Sequence, residues 1–105
     1  MNNKADILLM IKNSVAKSSP NATVILYGSF ARGSNKKNSD VDLLILLDTD
    51  KVSREDEKQV KYPLYEIEFE TGQIISPLVI SRNDWETRYK ITPFYENVKR
   101  EGVVL

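Results

Sequence analysis

The spacing of apolar and polar positions divides this chain into short elements. From residue 4 to 17, Ile7, Leu8, Ile11 and Val15 fall on one helical face, with Lys4, Lys12 and Lys17 elsewhere. That spacing predicts an amphipathic helix over 4–17. Ser18-Ser19-Pro20-Asn21 ends it. Thr23 to Tyr27 is β-branched and aromatic and predicts a strand. Gly28-Ser29 breaks that strand, and Phe30 to Asn38 reads as a short turn and loop. Val41 to Leu47 is a nearly continuous apolar run, typical of a strand buried on both faces.

Residues 53–71 carry two periods at once. Ser53 with Asp56 resembles a helix start, and Val60, Leu64 and Ile67 keep helical spacing. Tyr65, Ile67 and Phe69 also alternate with Glu66, Glu68 and Glu70, as a strand would. A helix ending at Gly72, whether broken near Pro63 or not, is the preferred reading, and a strand over 64–70 is the alternative. The preference comes from Ile74–Ile80, which looks like another buried strand; a helix between two strands covers a sheet face. Ser81 to Lys90 is a short helix or irregular segment carrying Trp85. Thr92-Pro93 starts a last helix, with Phe94, Val98 and Tyr95 inward and Gly102 as its stop.

Composition narrows the chemistry. At 105 residues and 41% apolar, one folded domain over 1–105 is expected. No apolar run reaches the roughly 18 residues of a membrane span, and the first residues lack the features of a signal peptide. A cytoplasmic protein is expected. The chain has no cysteine and no histidine. Disulfides, thiolate chemistry, Ser-His triads and His-ligated metals are therefore excluded. Carboxylates, Lys, Arg, Tyr and hydroxyls remain, and the metals that suit them are hard ions such as Mg²⁺ or Mn²⁺. Fifteen basic and fifteen acidic residues give zero net charge, so no global field attracts nucleic acid, and DNA binding is not expected.

The chemistry concentrates in "LYGSFARGSNKKNSDVDLLILLD", Leu26 to Asp48. On a strand, Asp40 and Asp42 project from the same face while Val41 points the other way. Two such carboxylates repel each other unless a cation sits between them. A pair of divalent ions bridged by them suits in-line phosphoryl displacement. Gly28 lets the backbone approach a phosphate, and the Ser29 hydroxyl can donate to one. Arg32, Lys36 and Lys37 add a local positive charge without an intervening acid. Each feature alone also has an ordinary reading, as a turn, a solvated acid or a wet loop tip. Their joint order and spacing favours a metal-bound polyphosphate.

Gly28-Ser29, ten residues, then Asp40-Val41-Asp42 resembles the signature of the DNA polymerase beta-like nucleotidyltransferases. "YGSFARGSNKKNSDVDLLI" is similar to the minimal nucleotidyltransferase-domain proteins of bacteria and archaea. The resemblance implies an α+β fold, a small mixed sheet packed against helices. It implies an NTP donor, ATP first, with Asp40 and Asp42 as catalytic metal ligands. Gly28, Ser29, Arg32 and Ser39 form the implied nucleotide-binding set. The family's third carboxylate falls near Ser76, where this chain has no acid. Glu66, Glu68 or Glu70 could replace it only if the fold aims one inward.

Two functions follow from the resemblance. One is transfer of an NMP group to a hydroxyl acceptor, on a partner protein or in a subunit-formed cleft. The other is a catalytically weak nucleotide- and partner-binding module, the antitoxin-like subunit of a pair with a HEPN-type helical protein. Oligomeric state is open. A third reading treats the aspartates as solvated turn residues. Trp85, Tyr89, Phe94 and Tyr95 are assigned to the core rather than to base stacking, and Tyr27 either packs under the turn or touches a nucleotide.

Overall fold

The computed structural model describes residues 3–34 and 39–105. Its centre is a four-stranded mixed sheet in the order β3-β2-β1-β4. β1 (Thr23–Tyr27) and β2 (Val41–Leu47) are antiparallel, and β2 and β3 (Ile75–Ser81) are parallel. A two-residue β4 (Val103–Val104) pairs antiparallel with β1 at the other edge. The parallel pair needs a crossover, and α3 (Arg54–Thr71) supplies it.

Strand parity sends alternate side chains to two cores. Val24 and Leu26 of β1 and Val41, Leu43, Ile45 and Leu47 of β2 meet α1 (Lys4–Ser18) and α3 through Ile7, Ile11, Val15, Val60, Leu64 and Ile67. Leu44, Leu46 and Ile80 face the other way. They meet Trp85 of α4 (Arg82–Thr87) and Tyr95 and Val98 of α5 (Pro93–Glu101). Trp85 is nearly sealed off from solvent and packs its ring against Tyr95, Phe94 and Tyr89. These aromatics are thus core, as their composition suggests. At the sheet's far end Arg82 donates to Asn21 O and Thr23 Oγ1 and pairs with Asp48 at 3.3 Å. Among the described residues no helix is long and apolar enough to cross a membrane.

The ambiguous segment resolves as helix. Ser53 Oγ accepts from Asp56 N–H and the Asp56 carboxylate accepts from Ser53 N–H, a complete capping box. Three acids in the first turn suit the positive end of the helix dipole. α3 then runs unbroken through Pro63 to Gly72, which caps it in the left-handed region. Burial of Val60, Leu64 and Ile67 outweighs both the proline and the strand-like alternation, which leaves Tyr65 and Phe69 in solvent. No break interrupts α3 at Pro63; proline removes the donor that would face the Gln59 carbonyl, and Gln59 is exposed.

Gly102 stops α5 for a reason other than handedness. Its backbone is extended, and a Cβ there would lie 2.5 Å from Val98 O and 2.7 Å from Ile25 Cγ2. The helix end packs directly on β1, and the chain turns into β4.

Pro63→Ala restores a hydrogen-bond donor in the middle of α3. It is expected to stabilise the fold by about 1–3 kcal/mol, read as a higher urea midpoint with an unchanged m-value. An unchanged or lower midpoint would show that Pro63 packs favourably where it stands.

Candidate active site

β1 ends where the candidate chemistry begins. Gly28 takes φ +73, a value that favours glycine, and opens the short α2 (Gly28–Arg32). The antiparallel register sets Tyr27 opposite Asp42, so the next residue lies over the Asp42 side chain. A Cβ on Gly28 would collide with Asp42 Oδ2. Glycine is therefore required twice, by its dihedral and by the carboxylate pressed against its backbone.

Asp40 and Asp42 lie on the α4/α5 side of the sheet, as the parity of β2 dictates, and Val41 is fully buried on the other side. Asp40 is exposed just before the strand, and Asp42 is half-buried within it. The Asp42 carboxyl is held above the ordinary Asp range, first by burial and then by the negative charge of Asp40, while Arg32 pulls it down. Tyr27 shows the same field: its hydroxyl is pushed up by burial and then by Asp42. The Tyr27 ring meets Phe94 edge-on at 5.3 Å, which places it in the core under the turn.

Ser76 stands beside Asp42 in the parallel register of β3, and its hydroxyl donates to Asp40 Oδ2 at 3.3 Å. This is the position where a third acid was expected. The glutamates of α3 do not replace it. α3 covers the opposite face of the sheet, and the Glu68 carboxylate accepts from Ile75 N–H at 2.8 Å. Among the described residues no three acids come together as a metal-binding group. Arg32 pairs with Glu101 at 3.0 Å, tying α2 to the end of α5. Ser29 is half-buried in the first turn of α2, and its carbonyl accepts from Ser34 N–H. The Ser39 carbonyl accepts from Gln73 Nε2 at 2.8 Å, which anchors the chain just before Asp40. Lys36 and Lys37 lie outside the described residues.

The structure thus brings Gly28, Asp40 and Asp42 together, with Ser76 and Tyr27 around them. Glu101 and Gln73 were missed by sequence reasoning. Their partners are 69 and 34 residues away, and no local pattern marks either.

The model of the nucleotidyltransferase domain matches residues 8–104, nearly the whole chain. The chain belongs to the nucleotidyltransferase domain family. The fold of this nucleotidyltransferase domain is similar to that of a solved structure described as "Crystal structure of the toxin-antitoxin with AMP-PNP", with a TM-score of 0.65 and 14% identity. The similarity covers 91% of this chain and 69% of that one. No curated protein matches the sequence. The α+β architecture that the resemblance implied is therefore the observed one.

Folding raises the Asp42 pKa, so the folded nucleotidyltransferase domain holds that proton more tightly than the unfolded chain. Ionising Asp42 costs stability as pH rises from the unfolded value, about 3.9, through the higher folded one. Below that window both states are protonated and the cost vanishes. In metal-free buffer Asp42→Asn is expected to melt above the parent at pH 7 and to lose that advantage below about pH 3.9. A variant that melts below the parent at pH 7 would show that the Asp42 charge is already compensated.

Proposed function

We propose that this nucleotidyltransferase domain binds an NTP, first of all ATP, on divalent metal held by Asp40 and Asp42, and transfers its NMP group to a hydroxyl acceptor. The observation that carries the proposal is the Asp42 carboxylate lying against the Gly28 backbone with Asp40 beside it. Two close carboxylates, with burial and Asp40 pushing the Asp42 carboxyl above its ordinary range, fit a hard divalent cation, which would replace the proton that Asp42 otherwise favours. Mg²⁺ or Mn²⁺ bound there supplies charge neutralisation for the triphosphate and for the developing alkoxide.

The chain's own residues do the positioning. The turn at Gly28 and Ser29 offers backbone N–H groups and a hydroxyl to phosphate oxygens, and Arg32 adds a cation once released from Glu101. Ser39 sits at the entrance, its backbone fixed by Gln73. The acceptor oxygen bonds to the α-phosphorus as the bond from that phosphorus to pyrophosphate breaks, and the acceptor proton leaves to water. Ser76 offers no base for that proton, so the transfer is slow.

The second reading rests on the same position. With Ser76 in place of an acid, nucleotide binding outlasts catalysis, and the domain serves as the antitoxin-like partner of a HEPN-type helical protein. The toxin–antitoxin neighbour with its AMP-PNP supports both the adenine nucleotide and the partner.

The test is incubation with α-phosphate-labelled ATP, magnesium and a co-expressed partner as acceptor. Label is expected on the acceptor, with Asp42→Asn lowering the rate by about 100-fold or more. Ser76→Asp is expected to raise it by about tenfold or more by completing the acidic set. Transfer that survives Asp42→Asn would refute the assigned role. A stable complex that persists in the double Asp40→Asn, Asp42→Asn variant, without label transfer by the parent, would leave the second reading standing.

A further inference from the structure

α3 has an inner face and an outer one, and the outer face is built against the chain's own interest. Tyr62, Tyr65 and Phe69 recur at helical spacing on the solvent side and, with Glu66 and Glu70, line a depression of about 340 Å³. Phe69 is 91% exposed, Tyr62 57% and Tyr65 42%. Isolated exposed apolar residues are ordinary, but a row of three aromatics along one helix face is the mark of an interaction surface.

The charges beside the row point the same way. Glu66 and Glu70 are four residues apart on one face, where like charges repel. Both lie in the C-terminal half of α3, toward the negative end of the helix dipole, and the last turn holds no basic residue. Among the described residues neither makes an ion pair or hydrogen bond. Glu68 between them is engaged by Ile75 N–H. Both the aromatic exposure and the uncompensated acids disfavour the isolated chain, and one occupant relieves both.

We propose that the outer face of α3 docks a partner-protein helix that presents Lys or Arg among apolar side chains. Anchors at i, i+3 and i+7, spread over about 10 Å of helix, suit a second helix lying alongside. Cationic side chains at its edge would pair with Glu66 and Glu70 while their apolar neighbours fill the depression. A second copy of this chain fits poorly, because a two-fold pairing of α3 centred on the depression would set Glu66 against the same acid. The surface lies across the sheet from Asp42, so docking there leaves the nucleotide side open. The inference does not depend on what the Asp40–Asp42 pair binds.

Two fluorescent helical peptides test it, one with a leucine stripe flanked by arginines, the other identical but with glutamates for the arginines. Anisotropy titration of the full chain is expected to show binding of the arginine peptide and none of the glutamate peptide. Phe69→Ser, at an exposed position, is expected to weaken binding about tenfold or more. The double Glu66→Lys, Glu70→Lys variant is expected to reverse the preference and to melt above the parent, since cations suit the negative end of the α3 dipole. Asp42→Asn is expected to bind like the parent. Failure of both peptides to bind, equal binding of both, indifference to Phe69→Ser, or a lower melting point for the double variant would overturn the proposal. So would a dimer by light scattering that Phe69→Ser dissociates.

Discussion

The site depends on one close approach: the backbone of Gly28 resting on the carboxylate of Asp42. The β1–β2 register puts Tyr27 opposite Asp42, and the left-handed dihedral at Gly28 then turns the chain over that side chain. Any side chain at residue 28 would push the acid away. With the acid held there, burial and Asp40 together leave its charge poorly compensated, and Arg32 offsets it only in part because Glu101 shares the arginine. The result is a small region of excess negative charge beside a turn whose N–H groups favour anions. A metal-bound triphosphate, the ligand proposed above, would meet both demands.

Much of this was legible in the residues because it is local. The buried β2 run, the i, i+2 relation of Asp40 and Asp42 and the helix start at Ser53 follow from short-range periodicity and capping. Local propensity left a break at Pro63 open, and the burial of three side chains on the inner face of α3 decided the outcome. β4 had no signal, since two valines after a helix stop become a strand only through β1 and the tight seat of Gly102. Glu101 and Gln73 were invisible for the same reason: their roles exist only once distant elements meet. Ser76 was legible as a position but not as a partner of Asp40.

The sheet separates two kinds of surface. On the α4/α5 side the strands carry polar groups at one end, where Asp42, Ser76 and Tyr27 cluster above an aromatic core. On the α1/α3 side the core is mostly aliphatic, with Phe30 among its buried side chains, and the outer aromatics of α3 lie beyond it. Chemistry and partner docking can then coexist in a small chain without competing for the same residues. Ser76 leaves the proposed nucleotide surface without a third acid, and the proposed docking surface lies on the other side of the sheet.

The central claim is that Asp40 and Asp42 together form a seat for cation and nucleotide. Thermal denaturation with magnesium alone, ATP alone and both together tests it most directly, on the parent and on the double Asp40→Asn, Asp42→Asn variant. The account expects the combination to stabilise the parent by more than the sum of the separate ligands. The gain should be about 2.7 kcal/mol at a hundred times the dissociation constant, and none in the double variant. A shift by ATP that is equal in chelator and in magnesium, or one that persists without both carboxylates, would contradict it.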